Sequence, residues 1–188
     1  MFIRIEETPN PETLKFIPDG KLNIHESVFI KKSEASESGD FAKKMFEIEG
    51  VKSILIDNEF ITVTKEEKDS WDVLRTIITA KISTFIKEEG EIADIKHVDK
   101  SSKKEATPLT AKEKEICDLL ESKVKPVVAS HGGEISFHSF KEGTVFLELK
   151  GSCAGCPSST ATLKMGIENM LKHFVDEVKE VVDINSQA

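Results

Sequence analysis

Apolar residues along this chain fall into two kinds of run. Short apolar runs bounded by turn residues read as strands at Phe2–Glu6, Thr13–Ile17, Ser27–Lys31, Val51–Ile56, Phe60–Thr64 and Glu134–Phe140. A strictly alternating run, Thr144–Lys150, places Val145, Leu147 and Leu149 on one face. Steps of three and four residues mark helices instead. Ser70 is placed to cap one whose buried face is predicted to be Val73, Leu74, Ile77, Ile78, Ile82, Phe85 and Ile86, with Trp71 packing at the first turn. Thr110-Ala111-Lys112-Glu113 matches a capping box and opens a second, carrying Ile116, Leu119, Leu120, Val124, Val127 and Val128; Pro126 is expected to bend or end it. A third carries Leu163, Ile167, Met170, Leu171 and Phe174. Asp40 is predicted to cap a short helix through Phe46, and Val178–Ile184 to form a short edge strand.

Turn residues punctuate these runs at Thr8-Pro9-Asn10-Pro11, Pro18-Asp19-Gly20, Asp57-Asn58-Glu59 and Lys141-Glu142-Gly143. Between Asp94 and Pro108 large apolar residues nearly vanish and Lys, Ser, Asp and Glu dominate, which reads as a linker. The expected organisation is a domain over residues 1–93, a flexible linker over 94–108 and a second domain over 109–188. The predicted fold class is α+β, each domain a small, mostly antiparallel sheet packed by helices. If Phe140 and Thr144 flank the last hairpin turn, Glu134 lies opposite Lys150, and His131-Gly132-Gly133 comes beside the residues just past the second strand.

The chain has 188 residues and a formal net charge of −8. That length suits one large domain or two small ones, and the mixture of apolar and charged residues suits a folded, soluble protein. The acidic balance argues against a nucleic-acid surface, and Lys103-Lys104 is too short to reverse it. No apolar run approaches the roughly 20 residues needed to span a bilayer. The N-terminal residues show no basic segment leading into an apolar core, so no secretory signal is expected. Three cysteines, two of them clustered, are no disulfide framework and fit a reducing compartment. The expected location is a bacterial cytoplasm, or a mitochondrial matrix if a targeting segment was removed.

The clustered pair lies in Gly151-Ser152-Cys153-Ala154-Gly155-Cys156-Pro157-Ser158-Ser159-Thr160, between the alternating strand and the third helix. Pro157 suits a first helical position, so both sulfurs are expected on an accessible loop at a helix start, where the dipole favours thiolate over thiol. Three chemistries use such a spacing. A dithiol oxidoreductase of thioredoxin type would need more strands and helices downstream than remain here. A zinc-stabilised interaction module needs four ligands, and neither Cys117 nor the scattered histidines supply the rest. An iron–sulfur cubane takes four thiolates, which two copies of this chain would provide across a two-fold axis. Cys117, on an amphipathic helix, reads as a small buried residue rather than a ligand. His25, His97, His138 and His173 have no partner at ligand spacing, Gly132-Gly133 lacks the helix and lysine of a phosphate loop, and Glu134 and Glu148 mark no acid–base pair.

Gly151 to Ser159, with Thr162-Leu163-Lys164 and Gly166-Ile167-Glu168 after it, resembles the C-terminal domain of the NifU-like (Nfu) iron–sulfur proteins; Pro126 and Gly132-Gly133-Glu134-Ile135 fit it too. Thr8-Pro9-Asn10-Pro11 and Thr13-Leu14-Lys15-Phe16 are similar to the family's separate N-terminal domain. The resemblance implies a scaffold or carrier, not an enzyme. It would bind a [4Fe-4S] cluster through Cys153 and Cys156 of two subunits, receive it from upstream assembly proteins and pass it to apo iron–sulfur proteins. It implies no nucleic-acid or membrane partner, and a partner-recognition or structural role for the N-terminal domain. One departure stands out: His131 occupies the place where the family carries an acidic residue. Either its imidazole hydrogen-bonds a cluster sulfur, or it faces solvent in the glycine-rich turn.

Overall fold

In the computed structural model the described residues are 2–89, 92, 95, 109–154 and 157–187, with backbone alone for 157–160 and 186–187. The chain divides into two compact units, Met1–Lys100 and Ser101–Ala188. Most of the expected linker, residues 94 and 96–108, lies outside the described residues.

The first unit is a five-stranded antiparallel sheet. Its strands are β1 (Ile3–Glu7), β2 (Thr13–Pro18), β3 (Val28–Lys31), β4 (Val51–Ile56) and β5 (Ile61–Lys65), in the spatial order β1-β2-β5-β4-β3. Pro9 and Pro11 bring no N–H to the β1–β2 turn, so side chains stitch it. Thr8 Oγ1 donates to the carbonyls of Asn10 and Thr13, each at 2.9 Å, and Asn10 Oδ1 accepts the Glu12 N–H at 3.0 Å. Helices α1 (Asp40–Phe46) and α2 (Trp71–Glu89) supply the other half of a core built on Phe16, Ile30, Phe41, Met45, Ile54 and Ile61. Phe41 and Phe85 meet edge to face at 5.0 Å between centroids, joining the two helices. Ile92 belongs to this core, and Ile95, inside the stretch expected as linker, packs partly buried against it.

Two helix details differ from expectation. Gly39 holds the cap position of α1, and Asp40 is its first residue, with its carboxylate on Lys43 Nζ at 3.0 Å. On α2 Leu74, Ile78, Ile82 and Phe85 are buried, but Val73 and Ile77 face solvent. Ser70 Oγ accepts the Asp72 N–H at 3.3 Å as a cap should, and the Trp71 indole donates to the Pro11 carbonyl at 2.9 Å. That bond ties the helix start to the β1–β2 turn.

The second unit opens with α3 (Ala111–Leu119). The capping box is formed in full: Thr110 Oγ1 accepts the Glu113 N–H at 3.3 Å and Glu113 Oε2 accepts the Thr110 N–H at 2.9 Å. The helix then widens over Leu120–Val124, where the Lys125 N–H reaches back five residues to the Leu120 carbonyl. A proline ring clashes with the carbonyl four residues before it, and the wide turn relieves that clash. Pro126 therefore neither ends the helix nor breaks it, and α4 (Lys125–Ser130) continues.

Strands β6 (Gly133–Lys141) and β7 (Thr144–Gly151) pair antiparallel, and β8 (Glu180–Asp183) adds parallel on the other edge of β7. Glu134 lies opposite Lys150, as the hairpin geometry predicts. Near the turn, however, Phe140 pairs with Val145, and a one-residue bulge between Phe137 and Ser139 restores the register. The long helix α5 (Pro157–Phe174) lays Ile167 and Leu171 into the core with Val128, Ile135, Val145, Leu147 and Leu149. Phe174, expected on that face, is 49 % exposed at the helix end. Both units are thus α+β, each a small and mostly antiparallel sheet packed by helices. Among the described residues no helix is long and apolar enough to cross a membrane.

Candidate metal centre

Strand β7 buries its odd-numbered residues, and just beyond it Ser152 and Cys153 are both buried. The last ladder pair is Gly133 with Gly151. The chain then turns, with the Ala154 N–H on the Gly151 carbonyl at 3.1 Å, and α5 begins at Pro157. Gly155 and Cys156 lie outside the described residues.

The turn is fastened to the segment that leaves α4. Ser152 is buried; its N–H donates to the Gly132 carbonyl at 3.2 Å and its hydroxyl to the His131 carbonyl at 2.5 Å. Gly132, at φ +76°, gives the left-handed step that ends α4. Gly133 is required by close approach: a Cβ there would stand 2.5 Å from Cys153 Sγ and 3.2 Å from the Lys150 carbonyl oxygen. Gly133 is therefore the wall against which the cysteine sulfur packs.

That placement corrects one expectation. Cys153 is only 6 % exposed and belongs to the hydrophobic core of its unit. Burial pushes its thiol above the usual range. In this conformation the neutral thiol is favoured, not the thiolate expected at an open helix start. The alternation of β7 does not signal this burial, because it ends at Gly151 and both Ser152 and Cys153 are buried.

The His131 side chain is exposed, so it is the main-chain carbonyl of this residue that touches the site. Cys117 is half-buried on α3 and lines a cavity of about 210 Å³ with Leu120, Glu121, Lys125, Ile135, Ser136 and Phe137. Burial, and then the Glu121 carboxylate, push its thiol up as well. His138 is exposed on β6, and His173 stacks edge to face on Phe174. Among the described residues no group of three or more His, Cys, Asp or Glu side chains could hold a metal ion. Cys153 offers a soft sulfur donor with glycine backbone on one side, and thiolates are the donors an iron–sulfur cluster takes. Ser152 and Gly133 are site residues that motif spacing alone does not reveal.

Known proteins resemble this chain in sequence. The profile described as "Scaffold protein Nfu/NifU N terminal" matches residues 3–89, and "NifU-like domain" matches residues 116–182. A Drosophila willistoni protein named "NFU1 iron-sulfur cluster scaffold homolog, mitochondrial" is 35 % identical over 199 residues, covering 100 % of this chain and 65 % of its own length. The Homo sapiens protein of the same name is 36 % identical over 192 residues, covering 98 % of this chain and 72 % of its own length. Among solved structures, a NifU-like protein from Saccharomyces cerevisiae aligns at a TM-score of 0.43 and 24 % identity, over 47 % of this chain and 80 % of that one. This chain spans roughly two thirds of the length of the fly relative. With both profiles matched in the same order and the human relative aligned over nearly the whole chain, the chain belongs to the NifU-like (Nfu) family.

Proposed function

We propose that this protein works in iron–sulfur cluster assembly as a scaffold or carrier rather than an enzyme. It holds a [4Fe-4S] cluster between two subunits and hands it to apo iron–sulfur proteins. The observation that carries this reading is the match of one chain to both family profiles, with Cys153 on the turn between β7 and α5. The names of the relatives support the assembly role. Their mitochondrial designation favours a matrix location over a bacterial cytoplasm.

Cys153 and Cys156 are the ligands in this proposal, each chain contributing the pair. A cubane takes four cysteine thiolates, so a homodimer completes the set. Two helix N-termini directed at the cluster would offset part of its negative charge. Because the ligands come from two chains, subunits that part release the cargo, which is the behaviour a carrier needs. Upstream assembly proteins supply the cluster, and the N-terminal unit serves partner recognition or support.

The test is anaerobic reconstitution with iron and sulfide, read out by optical absorption. The parent and Cys117→Ser should develop the broad brown chromophore, and Cys153→Ser or Cys156→Ser should not. A Cys117→Ser protein that folds normally but loses the chromophore would overturn the ligand assignment. A colourless parent that reduces disulfides would overturn the carrier reading itself.

A further inference from the structure

Cys153 Sγ occupies a seat inside its unit, and a sulfur in that seat cannot serve a cluster shared with a second subunit. A metal–thiolate bond is about 2.3 Å long and needs an open direction from the sulfur. Here one side of the sulfur is closed by the Gly133 backbone, where even a Cβ would stand 2.5 Å away. Cys153 is 6 % exposed and belongs to one hydrophobic cluster with Ile135, Leu149 and Ile167. A ligand common to two chains has to stand at the surface of both.

We propose that Ser152 is the positioning residue that holds the Cys153 sulfur inward, and that loading a cluster requires the turn to leave this seat. The proposal rests on the cluster-binding reading above and concerns how access to that site is controlled. Ser152 is suited to the role because it is itself 2 % exposed and makes two bonds to the opposite segment. Its single hydroxyl proton is committed to the His131 carbonyl at 2.5 Å, and its N–H to the Gly132 carbonyl at 3.2 Å. The hydroxyl oxygen is then left as the acceptor facing Cys153 Sγ at 3.9 Å, an arrangement that suits a thiol S–H. All three contacts exist together only with the turn folded inward. Removing the hydroxyl takes one buried hydrogen bond from the inward state and from no other, so the outward population rises.

The experiment reads the sulfur directly and needs no cluster. In the full chain carrying Cys117→Ser and Cys156→Ser, Cys153 is the one remaining thiol. Its thiolate attacks the S–S bond of an aromatic disulfide reagent, a protein mixed disulfide forms, and the coloured aromatic thiolate that leaves is counted. The parent should react far more slowly than a small free thiol. Ser152→Ala should react about three- to tenfold faster, the ratio expected for one buried hydrogen bond. Gly133→Ala, which places a methyl in the seat, should also speed the reaction and keeps the test decisive if Ser152→Ala fails to fold. The accelerated rates should change little with urea below the unfolding transition, as a local opening does.

An unchanged rate in Ser152→Ala would overturn the proposal, as would acceleration that tracks global unfolding in urea. In the chain with all its cysteines, Ser152→Ala should take up iron and sulfide faster than the parent. Faster thiol labelling in a protein whose parent binds no cluster would overturn the functional reading and leave the inward seat standing.

Discussion

Glu113 holds the first turn of α3 with one carboxylate, accepting from the Thr110 N–H at 2.9 Å and the Thr110 hydroxyl at 2.8 Å. Those two bonds, the backbone one first, hold its carboxyl below the usual range. A carboxyl depressed on folding adds stability above its unfolded pKa, and loses it as pH falls through the lower, folded pKa. The urea midpoint of the second unit should therefore drop between neutral and acid pH, and Glu113→Ala should shrink the part of that drop due to this residue. An unchanged pH slope in Glu113→Ala would count against the cap. Thr110→Ala should cost about 1 kcal/mol in the same measurement. This cap was legible from four consecutive residues, because capping is local chemistry. The motif marks Cys153 as a proposed ligand, but its spacing also suggests an accessible loop, and the residue is buried. Its burial goes with Gly133, twenty positions upstream, whose missing side chain leaves room for the sulfur.

At the scale of elements, the free edge of β7 is completed by side chains rather than by strand. Parallel pairing with β8 stops at Leu147 and Asp183. Beyond it Asp183 Oδ1 accepts the Leu149 N–H at 3.5 Å and the Asn185 N–H at 3.1 Å, and Asn185 Nδ2 donates to the Leu149 carbonyl at 3.2 Å. The ladder is thereby carried toward Gly151 and the cysteine turn. Glu168 adds a second tie, accepting the Val181 N–H at 3.1 Å from α5. Asp183→Ala should cost about 1–3 kcal/mol in chemical unfolding, since it strands the buried Leu149 N–H; a loss below about 0.5 kcal/mol would mean water replaces it. None of this could be read from the short Val178–Ile184 pattern, which gives a strand but not the side-chain bonds that extend its ladder. Periodicity likewise gives the centre of a helical stripe and not its width. Leu74, Ile78 and Ile82 are buried as expected, while Val73, Ile77 and Phe174 flank the stripes and face water. The Phe137–Ser139 bulge is the opposite case: the assumed turn pairing was off by one, and the unforeseen bulge brought Glu134 back opposite Lys150.

Among the described residues there are two hydrophobic clusters, one around Phe16, Ile54 and Ile78 and one around Ile116, Leu147 and Leu171. Each sheet closes its core within its own stretch of sequence, which is why alternation and capping signals were enough to find both α+β folds. A fragment from Leu109 to Ala188 should therefore fold alone and take up a cluster, its unfolding midpoint close to that of the second transition in the full chain. An unfolded fragment would mean the two units support one another. The claim that matters most is that the cluster is shared, and it is tested most directly by measuring the native mass and the iron content of the reconstituted full-length protein together. A shared cluster gives a dimer with about four irons per two chains. A monomer carrying a full cluster, about four irons on a single chain, would contradict it.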